Sequence, residues 1–150
     1  MKPLIVLFGT FILGILISYV LKGKLNLTFN GNLAMGVMFC FTALGHFMFT
    51  KGMAMMIPPA LPYRETAIFL SGIAEIVLGI ALIIPQTRHI AAIAMIAMLV
   101  LILPANIYAA INRINYEKGT FDGPGLSYLW FRIPMQALLI GWIIYFGFRR

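Results

Sequence analysis

The sequence predicts an all-α integral membrane protein, and three observations carry that prediction. Hydrophobic residues make up 62% of the 150-residue chain and charged residues 10%, with a mean hydropathy of +0.99, well outside the range of soluble domains. The charges are gathered into short clusters between long apolar runs. Those runs lack the period-2 alternation of strands, and an open sheet cannot cross lipid, where every backbone group must be satisfied within the protein.

A spanning helix needs about 20 apolar residues at roughly 1.5 Å rise. Five segments meet or approach this: Pro3–Leu21, Leu33–Phe49, Thr66–Ile84, Ile90–Ala110 and Leu129–Phe148. Together they form a single membrane domain covering residues 1–150. The first begins like a signal peptide, with Lys2 ahead of an apolar run. No small-x-small cleavage site follows, and "SYVLKGKLN" stays bulky up to the charges, so it reads as a retained helix. Thr10, Gly14 and Ser18 give it one small face for close packing.

The connectors differ in character. "PQTRH" is a tight turn that makes the third and fourth spans a hairpin. Residues 50–65, "TKGMAMMIPPALPYRE", are short of charge but hold Pro58, Pro59 and Pro62. This Pro-rich flap is expected to lie in the membrane interface or to fold over the helices as a lid, a stiff connector being the plainer alternative. The other long connector, "NRINYEKGTFDGPGLSYL", falls on the same face. Trp130 and Tyr128 at one end, and Trp142 and Tyr145 toward the other, read as interface belts.

Five spans put the termini on opposite sides. One side carries Lys22, Lys24, Arg88, Arg149 and Arg150 without an acid. The other carries Lys2, Lys51, Arg64, Arg113, Lys118 and Arg132 with Glu65, Glu117 and Asp122. Basic residues nearly tie, but Arg132 falls inside a span and Lys118 in the longest loop. The positive-inside rule then places the C-terminus in the cytoplasm of a multi-pass protein of the cell membrane, with Lys2 against it. The net charge of +7 is scattered over connectors, not laid in a stripe with aromatics, so no nucleic-acid partner is expected. The single cysteine, Cys40, excludes an intramolecular dithiol relay and leaves a disulfide only between two chains. Small and apolar, it suits a helix interface.

Polar side chains within spans are costly, and this chain has a short set: His46, Glu75, Asn106, Arg132 and Gln136. "LSGIAEIVLGIALIIPQTR" shows the cost most clearly, because Glu75 stands alone in an apolar run. It lies roughly 13 Å below the surface at Thr66, at helical rise. All five fall in the non-cytoplasmic half, from four different spans, with Gln136 one turn deeper than Arg132. Gly72 and Gly79 flank Glu75 on a small face that should meet other helices. Pro104 and Pro134 free the carbonyls of Val100 and Trp130 at the same depth. Glu75 is expected to face a buried cluster, with Arg132 as its nearest cation and His46 as the alternative. An internal clasp that only fixes helix register would use the same residues. Haem and metal are not expected: there are two histidines, His89 sits at the opposite surface, and thiolate or clustered histidine ligands are lacking. Hydrolysis lacks a convincing serine near His46.

"GHFMF", "MIPPALP", "SGIAEIVLGIALIIPQTR", "LPANIYAAI" and "FRIPMQALLIGW" follow one another in the order and spacing of the DoxX-like family, which the chain resembles from Leu33 to Tyr145. The resemblance implies an antiparallel four-helix transmembrane bundle, with Pro3–Leu21 as one extra N-terminal transmembrane helix. It places the family's polar positions on His46, Glu75, Arg88, Asn106, Arg132 and Gln136. Some members are associated with membrane redox, including thiosulfate oxidation coupled to quinone, and distantly similar eukaryotic proteins act as assembly chaperones. One cysteine departs from any dithiol scheme.

Two classes of function follow. In the first, an accessory subunit of a membrane oxidoreductase binds quinone under the flap. Asn106, Arg132 and Gln136 would be ligand-binding, and His46 and Glu75 would handle protons as the catalytic pair. A redox partner protein would supply electrons. In the second, a non-enzymatic assembly factor or carrier holds a small lipophilic molecule in the same pocket. The lipid bilayer is a partner in both, and a homo-oligomer is compatible with both.

Overall fold

The computed structural model describes residues 2–149, without the side chain of Lys22; Met1 and Arg150, the latter counted above among the C-terminal charges, lie outside the described residues. The chain is helical throughout: α1 (Lys2–Lys22), α2 (Leu27–Met48), α3 (Thr50–Ala54), α4 (Arg64–Ile83), α5 (Arg88–Ile111) and α6 (Ser127–Gly147). All but α3 are long and apolar enough to cross a membrane, the pattern of a multi-pass membrane protein. Among the described residues the only extended pairing is an isolated bridge between Asn115 and Thr120.

Helix α2 differs most from its sequence reading. It begins at Leu27, well before Leu33, because Asn26 caps it by accepting from the Phe29 amide at 2.9 Å. A side-chain oxygen at the cap satisfies one of the orphan amides of the first turn. The early start carries Asn30 and Asn32 into the helix, and both are buried. Helix α2 is also the hub of the fold: it packs against α1, α3, α4 and α6, while α5 packs against α4 and α6. Its contact with α4 is close, since a Cβ on Gly36 would stand 2.6 Å from the Gly79 carbonyl.

Apolar side chains from α1, α2, α4, α5 and α6 fill the interior, among them Leu7, Met35, Leu82, Met95 and Ile143. The tight turn works as its composition suggests. Thr87 donates to the Ala81 carbonyl at 2.7 Å and covers an orphan acceptor at the end of α4. At the far end, α3 fills the first part of the Pro-rich segment. It sits directly on the second long connector, where a Cβ on Gly52 would lie 1.9 Å from the Tyr116 carbonyl. The two long connectors, together with the Lys2–Glu117 contact at 3.4 Å, define one end of the molecule, the loop end. The connections at 23–26 and 84–87 define the other, the turn end.

Candidate functional site

The polar residues of the loop end gather around a cavity of about 500 Å³, within the size range of small-molecule sites. Its walls are mostly apolar, from Met38, Phe39, Met98 and Leu139, and Met53, Met56 and Ile57 of the flap segment complete it. Thr42, His46, Glu75, Asn106 and Arg132 bring polar atoms to it from α2, α4, α5 and α6.

Glu75 is 6% exposed and His46 5%. Thr42 and His46 lie four residues apart on one face of α2, so they meet one carboxylate from two successive turns. Thr42 Oγ1 lies 2.9 Å from Glu75 Oε2, and His46 Nε2 stands 3.4 Å from Oε1. Gly72 allows this approach, because a Cβ there would stand 2.9 Å from His46 Cβ. The partner of Glu75 is therefore His46, the alternative, and not Arg132. The reason is packing: α4 lies against α2, whereas α6 lies against α5 and α2, so Arg132 approaches from another wall.

The proton inventory of the pair can be counted. His46 Nδ1 faces the Ser71 hydroxyl at 2.8 Å and the Ile68 carbonyl at 3.2 Å, and Ser71 gives its own proton to that carbonyl at 2.7 Å. With that hydroxyl proton on the carbonyl, Nδ1 faces two acceptors and is assigned a hydrogen. A bare Nε2 would then oppose a bare carboxylate oxygen. One further proton between Nε2 and Oε1 relieves that repulsion, whichever atom holds it, and leaves the pair with no net charge. A serine, Ser71, thus does stand beside His46. Ser71 lies outside the cavity wall and its proton is committed to a backbone carbonyl, so it orients the ring and is not poised as a nucleophile.

The remaining residues divide. Asn106 is 2% exposed, lines the cavity, and spends one amide proton on the Ile102 carbonyl at 3.1 Å. Arg132 lines the cavity half-buried, and its Nε is buried without a partner. Gln136 does not reach the cavity. It donates to the Leu99 carbonyl at 2.6 Å, one residue from the carbonyl that Pro104 frees. Four residues of helix turn about 40° past a full circle, enough to swing Gln136 from the cavity toward α5. Tyr116, on the connector, also lines the cavity, and burial pushes its phenol above the usual range, so it stays a neutral donor at physiological pH. Arg88, at the turn end, reaches the Leu82 carbonyl at 3.4 Å and takes no part in this site.

The sequence reading missed a second polar cluster, at the turn end. Asn30 donates to Ser18 at 3.1 Å and Asn32 to the Phe146 carbonyl at 2.9 Å. The missed signal was Asn26, a helix cap placed seven residues ahead of the expected start at Leu33. Trp142 belongs to this cluster and not to an interface belt. Its Nε1 donates to the Gly31 carbonyl at 3.0 Å and its ring meets Phe11 edge-on. Trp130, in contrast, is 86% exposed.

A family model described as Domain of unknown function (DUF8561) matches residues 35–146. The chain belongs to the DUF8561 family. The matched stretch holds every cavity residue named above, and the DUF8561 match leaves Asn30 and Asn32 outside. No curated protein and no solved structure matches the chain.

Proposed function

We propose that this protein is a membrane-embedded binding protein for a small lipophilic molecule with an acceptor-bearing head, and that quinones are its candidate redox ligands. The observation that carries the reading is the apolar cavity of about 500 Å³ closing over a buried, proton-holding His46–Glu75 pair. An apolar chamber with a few convergent polar groups is the usual form of a small-ligand site, and buried acid–base pairs concentrate at functional sites. The residues fit a quinone head: the Arg132 guanidinium and the Asn106 amide would hold its carbonyls, and the neutral Tyr116 phenol is a further donor. A quinone supplies two-electron carrier chemistry, with a partner protein as electron source. His46 and Glu75 hold the proton that accompanies charge transfer. The resemblance to DoxX-like proteins belongs to this reading, as do an antiparallel bundle of α2, α4, α5 and α6 with α1 as an added helix, and a cytoplasmic C-terminus.

Two experiments test it. A decyl-benzoquinone should bind the full-length protein in phosphatidylcholine nanodiscs, and His46→Leu should weaken proton uptake on its reduction more than its binding. Binding that is absent, with lipid alone recovered from the cavity, would leave the carrier or assembly-factor reading. For topology, Gly119→Cys and Gln86→Cys in a Cys40→Ala background should react with an impermeant thiol reagent from opposite faces of intact cells. Labelling of both from one face would defeat the five-span arrangement.

A further inference from the structure

We infer that the head of the bound molecule is anionic: the cavity is a site for an acidic lipophile, with Arg132 as its counter-charge. This rests on the reading that the cavity takes a lipophilic ligand, and it specifies the ligand's charge.

The argument is a charge inventory. Two carboxylates line the cavity, Glu75 and Glu117. Glu75 is matched by His46 and Thr42, and with the shared proton that pair is neutral. Glu117 is matched by Lys2 at 3.4 Å. Arg132 has no ion pair and no hydrogen bond to any described residue, and its Nε has no access to solvent. A guanidinium cannot shed its charge, and this one is half-buried with no carboxylate paired to it among the described residues. A snorkelling arginine carries its head to water, whereas this side chain lines the chamber. The ligand is left to supply the missing negative charge. A planar, forked donor suits a carboxylate, an ionised ring hydroxyl or a phosphate oxygen. A free acidic lipophile and the head of an anionic phospholipid share this chemistry.

The test uses radiolabelled decanoate on the full-length protein in phosphatidylcholine nanodiscs, net of empty discs. Unlabelled decanoate, decanamide, decyl-benzoquinone and phosphatidylglycerol serve as competitors. Decanoate should compete at a concentration about tenfold below decanamide, the scale of one charge-assisted contact. Arg132→Gln should abolish that preference and Arg132→Lys should keep part of it. Competition by phosphatidylglycerol at similar potency would support the anionic site and identify a lipid head as its source. Equal competition by acid and amide in the wild type would overturn the inference while leaving a lipophile-binding cavity. A benzoquinone that outcompetes both, unaffected by Arg132→Gln, would do the same. If no probe is retained above empty discs, the cavity reading fails along with it.

Discussion

The two polar clusters lie at opposite ends of the same helices, and they solve the same problem differently. At the turn end, Asn30, Asn32 and Trp142 are neutral, packed and engaged with a hydroxyl or a backbone carbonyl. Asn32 reaches a carbonyl in the last turn of α6, where no intrahelical donor is available. Gly31 brings α2 so near α6 that a Cβ would stand 2.4 Å from the Phe146 ring. At the loop end three of the residues, His46, Glu75 and Arg132, are ionisable, Arg132 Nε and Gln136 Oε1 are orphaned, and a chamber separates the walls. Polar residues in spanning helices thus do not mark function by polarity alone. A neutral network whose donor nitrogens are engaged is a clasp, whereas unspent donors around a cavity leave room for a ligand.

The sharpest break of this contrast is at the His46–Glu75 pair. In soluble cores, removing one member of a buried ion pair costs roughly 3–5 kcal/mol. Here the survivor can take up or release a proton and membrane reference states soften the loss, so His46→Leu and Glu75→Leu should each cost less. The double change should cost less than the sum in chemical unfolding of the detergent-solubilised protein. Glu75→Leu combined with Arg132→Met should instead add to within about 0.5 kcal/mol. Strong coupling there would restore Arg132 as the partner of Glu75.

Next in size is the clasp. Asn32→Leu strips the Phe146 carbonyl of its donor, a loss of roughly 1–3 kcal/mol. The already unpartnered Asn32 Oδ1 brings the expectation to the lower end. Decanoate or benzoquinone binding by the folded fraction should not change, and a change would show the two clusters to be coupled. A smaller loss, about 0.5–1.5 kcal/mol, should follow Trp142→Phe, which keeps the aromatic packing on Phe11 but removes the donor to Gly31.

The smallest effect on stability should come from Arg132→Gln, since it orphans no partner. Its unfolding midpoint should move little or rise, while the acid-over-amide preference disappears. A loss comparable to that of the His46–Glu75 variants would make Arg132 a structural strut.

Much of this was legible in the sequence because hydropathy is a local property. Each long apolar run has to become a helix to satisfy its backbone in lipid, so the helices could be read within a few residues except at α2. There, the asparagines lowered local hydropathy and made the start of a helix resemble a connector, although Asn26 carried the cap signal. The Glu75 segment shows the same division at the level of one residue. Its cost, its depth and its small-residue face were readable from "SGIAEIVLG".

Sequence alone therefore determined that the chain is helical and apolar, where its helices run apart from the start of α2, and that His46, Glu75, Asn106, Arg132 and Gln136 carry the polarity of the loop-end half. Tertiary structure decided how that polarity is shared. Glu75 meets Thr42 and His46 because α4 crosses α2 through glycines, Ser71 turns the imidazole, Gln136 is spent on a backbone carbonyl, and Arg132 is left facing a cavity. Partners come from helices far apart in the chain, and which faces meet depends on crossing geometry and on rotation about each helix axis, where tens of degrees decide between a cavity and a neighbour.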